Sequence, residues 1–377
     1  MNISYITTYD AGDVHQWSGL GYHIANALQQ QNAELDLIGN LNAPVTAYLE
    51  LKGRIYNKLG KRYLLDRVPS IVRSNALQAE KRIKANTDII FAPSTLPIGL
   101  IETKKPKVFY TDATFAGMIN FYPYFTNLSA ESIRNGNKME QAAFDTCDLA
   151  IYSSEWAAKT AIDNYRVDPS KIKVVPFGAN IESDRTLADI DSVIKNKEST
   201  TCHLLFLGVE WERKGGDVAL EVTRTLNERG VPAVLHVAGI APELLGDLPP
   251  YVKNYGFISK RTPEGQQLLE NLFTQSHFLL LPSKADCTPI VYAEANSFGL
   301  PCITTNVGGI ASVIKNDING KMYALTDSVD SYADYIESIF SDNTRYTELC
   351  RSSFNEYATR LNWQASGKAL MALLNTL

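Results

Sequence analysis

The stretch Phe278-Leu-Leu-Leu-Pro-Ser-Lys-Ala-Asp286-Cys-Thr-Pro289-Ile-Val-Tyr-Ala-Glu294-Ala-Asn-Ser-Phe-Gly299-Leu-Pro301 reads as a buried strand, a loop and a helix in succession. The apolar run 278–281 is strand-length, and Pro282 and Ser283 end it. Pro289 stands where the first turn of a helix accepts proline, with Asp286 or Thr288 nearby as a cap. The unpaired amides of such a helix start attract an anion such as a pyrophosphate. Asp286 then lies in the loop beside that anion, and Glu294 lies more than a turn into the helix. Two acids so placed meet different hydroxyls of one elongated ligand. The simpler expectation, a capping Asp286 and a solvated Glu294, stands beside it.

Outward from this stretch, short apolar runs alternate with helix-length amphipathic segments along the chain, the pattern of α/β domains with parallel sheets. Strands are expected at 2–7, 33–38, 88–92, 107–111, 149–152 and 172–175 in the first half, and at 203–208, 233–238, 253–257, 278–281 and 301–304 in the second. Three of them end on small polar residues, at Phe91-Ala-Pro-Ser94, Tyr152-Ser-Ser154 and Leu281-Pro-Ser283, which would open onto the carboxyl edge of a sheet, where open α/β folds bind ligands. Between the halves, apolar periodicity fades, and 181–201 is expected to be a linker. It holds Asp189-Ile-Asp191, a superficial metal-binding pattern without a buried strand before it. The expected domains are 1–180 and 202–359, with a final helix over about 360–377 returning to the first domain.

A length of 377 residues favours two domains, and 45% apolar with 20% charged residues is ordinary for a soluble globular protein. The five cysteines are scattered and form no CxxC pair, which argues against a disulfide framework or a zinc site. The N-terminus lacks a basic leader region and no apolar stretch approaches a membrane span, so the expected location is cytoplasmic. Charge is uneven: 51–84 carries ten Lys and Arg against Asp66 and Glu80, a local +8 within a chain of net −5. That excess suits an acidic acceptor or the anionic inner face of a membrane. Nucleic acid is not expected, since no recognised nucleic-acid motif accompanies the charge.

Two further loops bear on ligand binding. Leu207-Gly208-Val-Glu-Trp-Glu-Arg213-Lys214-Gly-Gly216 joins an expected strand to a helix over 216–228, and its two cations suit a departing pyrophosphate. Gln16-Trp-Ser-Gly19-Leu-Gly21-Tyr-His23 follows the first strand, and glycine there lets the backbone approach a phosphate. A dinucleotide fingerprint would need Gly or Ala where Ile24 stands. His203, His236 and His277 fall in or beside strands and are expected to be structural, whereas His15 and His23 flank the glycine loop.

With these motifs in hand, the chain resembles the retaining glycosyltransferases of family 4. The resemblance rests on Pro282-Ser through Glu294 to Gly299-Leu-Pro301, on Arg213-Lys214-Gly-Gly, and on Tyr152-Ser-Ser-Glu-Trp156 followed by Val175-Pro-Phe-Gly178-Ala-Asn180. It implies a GT-B fold, α/β, with two facing Rossmann-like domains, parallel sheets and a central cleft. By resemblance the first domain takes the acceptor and the second the nucleotide-sugar, a UDP- or GDP-sugar used as substrate without a cofactor or metal. Glu294 would grip the ribose, Asp286 the donor sugar, and Arg213, Lys214 and Gly19 the pyrophosphate. Gly208, Ile258, Cys287, Thr288, Pro289 and Ile290 would line the donor site, and Asn306-Val-Gly-Gly309 would lie near the nucleotide. The implied activity is hexosyl transfer to a glycan, a lipid-linked or a small-molecule acceptor in polysaccharide biosynthesis. Alternatives are a GT-B-like epimerase or phosphorylase, or a non-catalytic sugar-nucleotide-binding subunit.

The chain departs from the family pattern at three points. Asp286 stands where Glu is usual, with Cys287-Thr-Pro-Ile290 replacing a glycine-containing stretch. Asp112 follows the strand 107–111 where many members place a histidine near the reacting centre. Arg213 directly precedes Lys214, whereas many relatives have the arginine earlier, after the strand glycine, where this chain has Val209.

Overall fold

Runs such as Ile89-Ile-Phe-Ala and Phe278-Leu-Leu-Leu have no polar face to offer water, so they are stable only where helices cover both sides of a sheet. In the computed structural model, which describes residues 1–181 and 183–377, these runs build two six-stranded sheets in two compact units. The first unit is Met1–Asn180 with Trp363–Leu377, and the second is Ile181–Asn362.

The first unit runs β1 (Asn2–Ile6), α1 (Leu20–Gln29), β2 (Glu34–Ile38), α2 (Ala47–Lys58), α3 (Pro69–Glu80), β3 (Ile89–Ala92), β4 (Lys107–Thr111), α4 (Phe115–Met118), α5 (Ala130–Thr146), β5 (Leu149–Tyr152), α6 (Glu155–Asn164) and β6 (Ile172–Val174). Its strands pair in parallel in the order β2-β1-β3-β4-β5-β6, with Ile3 opposite both Leu35 and Ile89. Ile6, Ile90, Ala92, Phe109 and Tyr152 from the sheet, with Ala143 and Ala157 from the helices, form its core.

The second unit runs α7 (Leu187–Asn196), β7 (Cys202–Leu207), α8 (Gly216–Glu228), β8 (Ala233–Ala238), β9 (Val252–Asn254), α9 (Pro263–Gln275), β10 (Phe278–Leu281), α10 (Ile290–Asn296), β11 (Cys302–Thr305), β12 (Gly320–Tyr323), α11 (Val329–Phe340) and α12 (Asn343–Arg360). Its order is β12-β11-β10-β7-β8-β9, again parallel, with Leu279 opposite Leu205 and Cys302. The last helix, α13 (Trp363–Leu374), belongs to the first unit, where the Ser366 hydroxyl donates to the Pro176 carbonyl at 2.7 Å.

In each sheet the chain leaves the first strand to one side and later returns on the other, between β1 and β3 and between β7 and β10. The loops after those strands diverge in opposite directions and leave a crevice at the carboxyl edge, which is where open α/β sheets hold ligands.

Three expectations need correction. Within the expected linker 181–201, Leu187–Asn196 is a helix, which the sequence reading did not give. Thr186 and Asp189 form a capping box at its start, and Ile190 is fully buried. Its apolar face is simply narrow enough to be hidden among Asp, Ser and Lys. The strand expected at 253–257 is Val252–Asn254, and Phe257 is exposed. β12 was not expected, since Gly320-Lys-Met-Tyr323 is short, half polar and at the sheet edge, where one neighbour suffices to hold it.

Candidate functional site

Because β7 and β10 are neighbours, the loops that follow them, 208–215 and 282–289, meet above the sheet. Gly215 permits this. It has φ +76°, and a Cβ there would collide with the Pro282 carbonyl, so only glycine lets the loops close. The Lys284 amide then donates to the Arg213 carbonyl at 2.7 Å, and the Arg213 guanidinium donates to the Ala285 carbonyl at 2.8 Å.

This closure places Arg213, Lys214 and Asp286 together. Lys214 Nζ lies 2.6 Å from Asp286 Oδ2, and Arg213 Nη1 lies 3.6 Å from Oδ1. Lys214 and Asp286 are both buried, and Arg213 also pairs with Glu210. A buried carboxylate held by two cations is fixed in direction. The Gly309 amide donates to the Asp286 carbonyl at 3.1 Å, which fastens the loop Asn306-Val-Gly-Gly309 to the same site.

Pro289 is not in the first turn of the helix but precedes it, with extended ψ, and α10 begins at Ile290. The N-cap position is Pro289, which offers no side-chain cap; the Asp286 carboxylate meets Lys214, and the Thr288 hydroxyl donates to the Cys287 carbonyl at 2.7 Å. Cys287, Thr288 and Pro289 are buried, and Ile290 and Gly208 are half-buried.

Glu294 is not a solvated helix acid. Its side chain is 3% exposed and it is ion-paired with Lys260, which is 48% exposed. Lys260 lies on the loop between β9 and α9, two residues after Ile258, and sequence reasoning missed it. Nothing in Ser259-Lys-Arg261 distinguishes Lys260 from a surface lysine; only the path of the loop brings it to Glu294.

Gly19 and Asp112 lie in the first unit, on different loops. Gly19, at φ +80°, is the N-cap of α1 and follows Trp17 and Ser18, which also have positive φ of 47° and 54°. Non-glycine residues there carry strain of about 1–3 kcal/mol each and persist only where the surroundings hold them. Asn180 supplies part of that hold. Its amide donates to the Ser18 carbonyl at 2.8 Å, and its oxygen accepts from the Trp363 indole at 2.9 Å. Trp363 stacks on His23 at 5.9 Å between ring centres, and Phe177 packs against both Trp17 and Trp363. Asp112 directly follows β4, half-buried, at the carboxyl edge of the first sheet.

The other histidines and the Asp189-Ile-Asp191 pattern lie elsewhere. His203 and His277 stand at the amino ends of β7 and β10, the edge opposite the acids, and His203 bridges His236 (2.9 Å) and Glu198 (3.0 Å). Burial pushes the His236 imidazole down to about 4 and the His277 imidazole to about 3. Asp189 caps α7 and Asp191 pairs with Arg351 at 2.7 Å. Among the described residues no group of three His, Cys, Asp or Glu is arranged to hold a metal ion.

Comparison with known proteins agrees with this architecture unit by unit. Residues 21–183 match the Glycosyltransferase Family 4 model, and residues 189–360 match that of Glycosyl transferases group 1. The chain is 25% identical to a D-inositol 3-phosphate glycosyltransferase of Mycobacterium marinum over 62% of its length and 51% of the relative's. It is 26% identical to the UDP-Gal:alpha-D-GlcNAc-diphosphoundecaprenol alpha-1,3-galactosyltransferase of Escherichia coli over 47% of each chain. The chain thus spans about half the length of these relatives. Its fold is shared with Anabaena HepE, solved with UDP and glucose, at a TM-score of 0.64 and 15% identity over 100% of both chains.

Proposed function

We propose that this chain, which matches the Family 4 model in its first half and the group 1 model in its second, is a GT-B glycosyltransferase that moves a hexosyl group from a nucleotide-sugar to a glycan, lipid-linked or small-molecule acceptor. The observation that carries the reading is the closure of Arg213 and Lys214 onto Asp286 at the β7/β10 crevice, with Glu294 one helix turn further along. The second unit takes the donor. Glu294 receives the ribose hydroxyls, Asp286 a hydroxyl of the donor sugar, and Ile258, Gly208 and the segment from Cys287 to Ile290 line the pocket. Arg213 and Lys214 stabilise the charge that grows on the departing diphosphate. The first unit takes the acceptor. Gly19 meets the pyrophosphate, and Asp112 orients the attacking hydroxyl.

Transfer proceeds with retention of anomeric configuration by same-face attack, the leaving phosphate oxygen taking the acceptor's proton. No metal is used, and the protein works in the cytoplasm in polysaccharide or glycolipid assembly, with peripheral contact to a membrane through 51–84. The acceptor classes are supported by the relatives' names, one acting on an inositol phosphate and one on a lipid diphosphate.

The test is turnover in excess EDTA with proton NMR of the first product formed. Expected are undiminished turnover and an anomeric coupling matching the donor's. Loss of turnover restored by magnesium or manganese would remove the metal-free mechanism, and an inverted anomer would remove the same-face one. Release of a nucleoside diphosphate without acceptor would favour an epimerase-like or hydrolytic reading.

A further inference from the structure

The basic segment 51–84 divides in two by the contacts its cations make. Its second part is spent within the first unit: Arg73 pairs with Glu80 and Glu102, Lys84 pairs with Asp36, and the Arg82 guanidinium donates to the Gly39 carbonyl. α3 buries Ile71, Val72, Ala76 and Ala79. The first part is different. On α2 and the residue that ends it, Tyr48, Leu51, Ile55 and Leu59 are 67%, 57%, 51% and 69% exposed. At 3.6 residues per turn these four fall within an arc of roughly 80° and form one continuous stripe.

Leu49 faces inward on another side of the helix, so the stripe is not the helix's core face turned outward by accident. Lys52 lies along one flank of the stripe, and Arg54 and Lys58 along the other. Lys61 and Arg62 follow, with the Arg62 guanidinium 4.9 Å from the exposed Tyr124 ring. Among the described residues Arg54, Lys58 and Lys61 have no ion-pair partner, and Glu50 is the one acid on the helix.

We infer that α2 is an interfacial helix that lays Tyr48, Leu51, Ile55 and Leu59 into an anionic lipid bilayer while Arg54, Lys58, Lys61 and Arg62 meet its headgroups. An exposed apolar stripe of four large side chains costs solubility unless something covers it. A soluble acidic glycan would use the cations and leave the stripe in water, whereas a bilayer surface uses both. The helix is too short and too charged to span, and no described helix is long and apolar enough to do so. The inference deepens the peripheral contact proposed above and rests on that reading for its purpose, which is to bring a lipid-linked acceptor to the first unit.

The experiment is co-sedimentation of the full chain with vesicles of phosphatidylcholine alone and with added phosphatidylglycerol. Turnover of donor with a water-soluble acceptor is measured in parallel. Binding is expected only with the anionic lipid. Lys58→Gln and Lys61→Gln should each lower the partition coefficient about fivefold. Leu51→Ser with Ile55→Ser should abolish binding at moderate salt while soluble-acceptor turnover stays at the parent level. Binding that survives the Ser substitutions, or that soluble heparin competes away with equal effect on parent and Ser variant, would overturn the membrane assignment and favour an acidic glycan. No binding to anionic vesicles at low salt would overturn it outright. Loss of turnover on every acceptor would instead count against the function, so the two failures are separable.

Discussion

Glu294→Ala and Lys260→Met remove opposite ends of one ion pair, and their consequences differ because the two ends differ in exposure, 3% against 48%. In Glu294→Ala the lysine left behind is already half in water and is readily resolvated, so the fold loses little. In Lys260→Met a buried carboxylate loses its partner. A fully buried pair broken in this way costs about 3–5 kcal/mol; with water reaching the lysine side, about 1–3 kcal/mol is expected here. Donor binding reverses the order. Glu294 would form charge-assisted hydrogen bonds to ribose hydroxyls worth about 1.5–3 kcal/mol, so Glu294→Ala should raise the donor dissociation constant roughly ten- to hundredfold. Calorimetric titration with the best-binding nucleotide-sugar and denaturant unfolding of both variants measure the two effects. Parent-level donor affinity in Glu294→Ala, or a larger stability loss in Glu294→Ala than in Lys260→Met, would refute the reasoning.

Three other outcomes follow from the same geometry. Lys214→Ala should lower turnover more than it weakens donor binding, since the charge it faces grows as the diphosphate departs; steady-state rates beside calorimetry separate the two, and parent turnover would count against its role. Asn180→Ala removes the hydrogen bonds to Ser18 and Trp363 and should cost about 1–3 kcal/mol of stability while reducing turnover, read by thermal unfolding and kinetics. His277, held neutral with its pKa at about 3, is protonated more readily in the unfolded chain than in the folded one below about 6.5; stability is therefore full above that pH and falls on acidification, and His277→Gln should flatten the slope by up to about 1.4 kcal/mol per pH unit in urea unfolding between pH 6.5 and 4.

The centres of the sheets were legible because parallel strands buried on both faces are written as unbroken apolar runs, as at Ile89-Ile-Phe-Ala and Phe278-Leu-Leu-Leu. β12 escaped because an edge strand needs only one neighbour, and Lys321 and Met322 are only half-buried, so no apolar run marks it. The helix α7 escaped for a related reason: Ile190 is its one fully buried side chain, too little to give a period. At the site, Arg213, Lys214 and Asp286 were each readable as loop residues after neighbouring strands. Their convergence depends on Gly215, whose positive φ lets the loops touch. Lys260 was not readable, since it meets Glu294 across a long sequence separation and does not differ locally from an ordinary surface lysine. Asn180 was legible as the end of the motif Val175–Asn180, but its bond to Ser18, far away in sequence, was not. The basic segment showed its charge in sequence but not its division, since which cations are spent on Glu80, Glu102 and Asp36 is decided by packing.

The most direct measurement of the central claim is nucleoside diphosphate release from a panel of UDP-, GDP- and ADP-sugars, with and without glycan, lipid-linked and inositol-phosphate acceptors, followed by mass spectrometry of the acceptor. The account predicts one preferred donor, release that depends on an acceptor, an acceptor heavier by one hexosyl unit, and loss of all three in a Lys214→Ala, Glu294→Ala double variant that remains folded. Tight donor binding with no acceptor gaining mass, or product formation undiminished in that folded double variant, would contradict it.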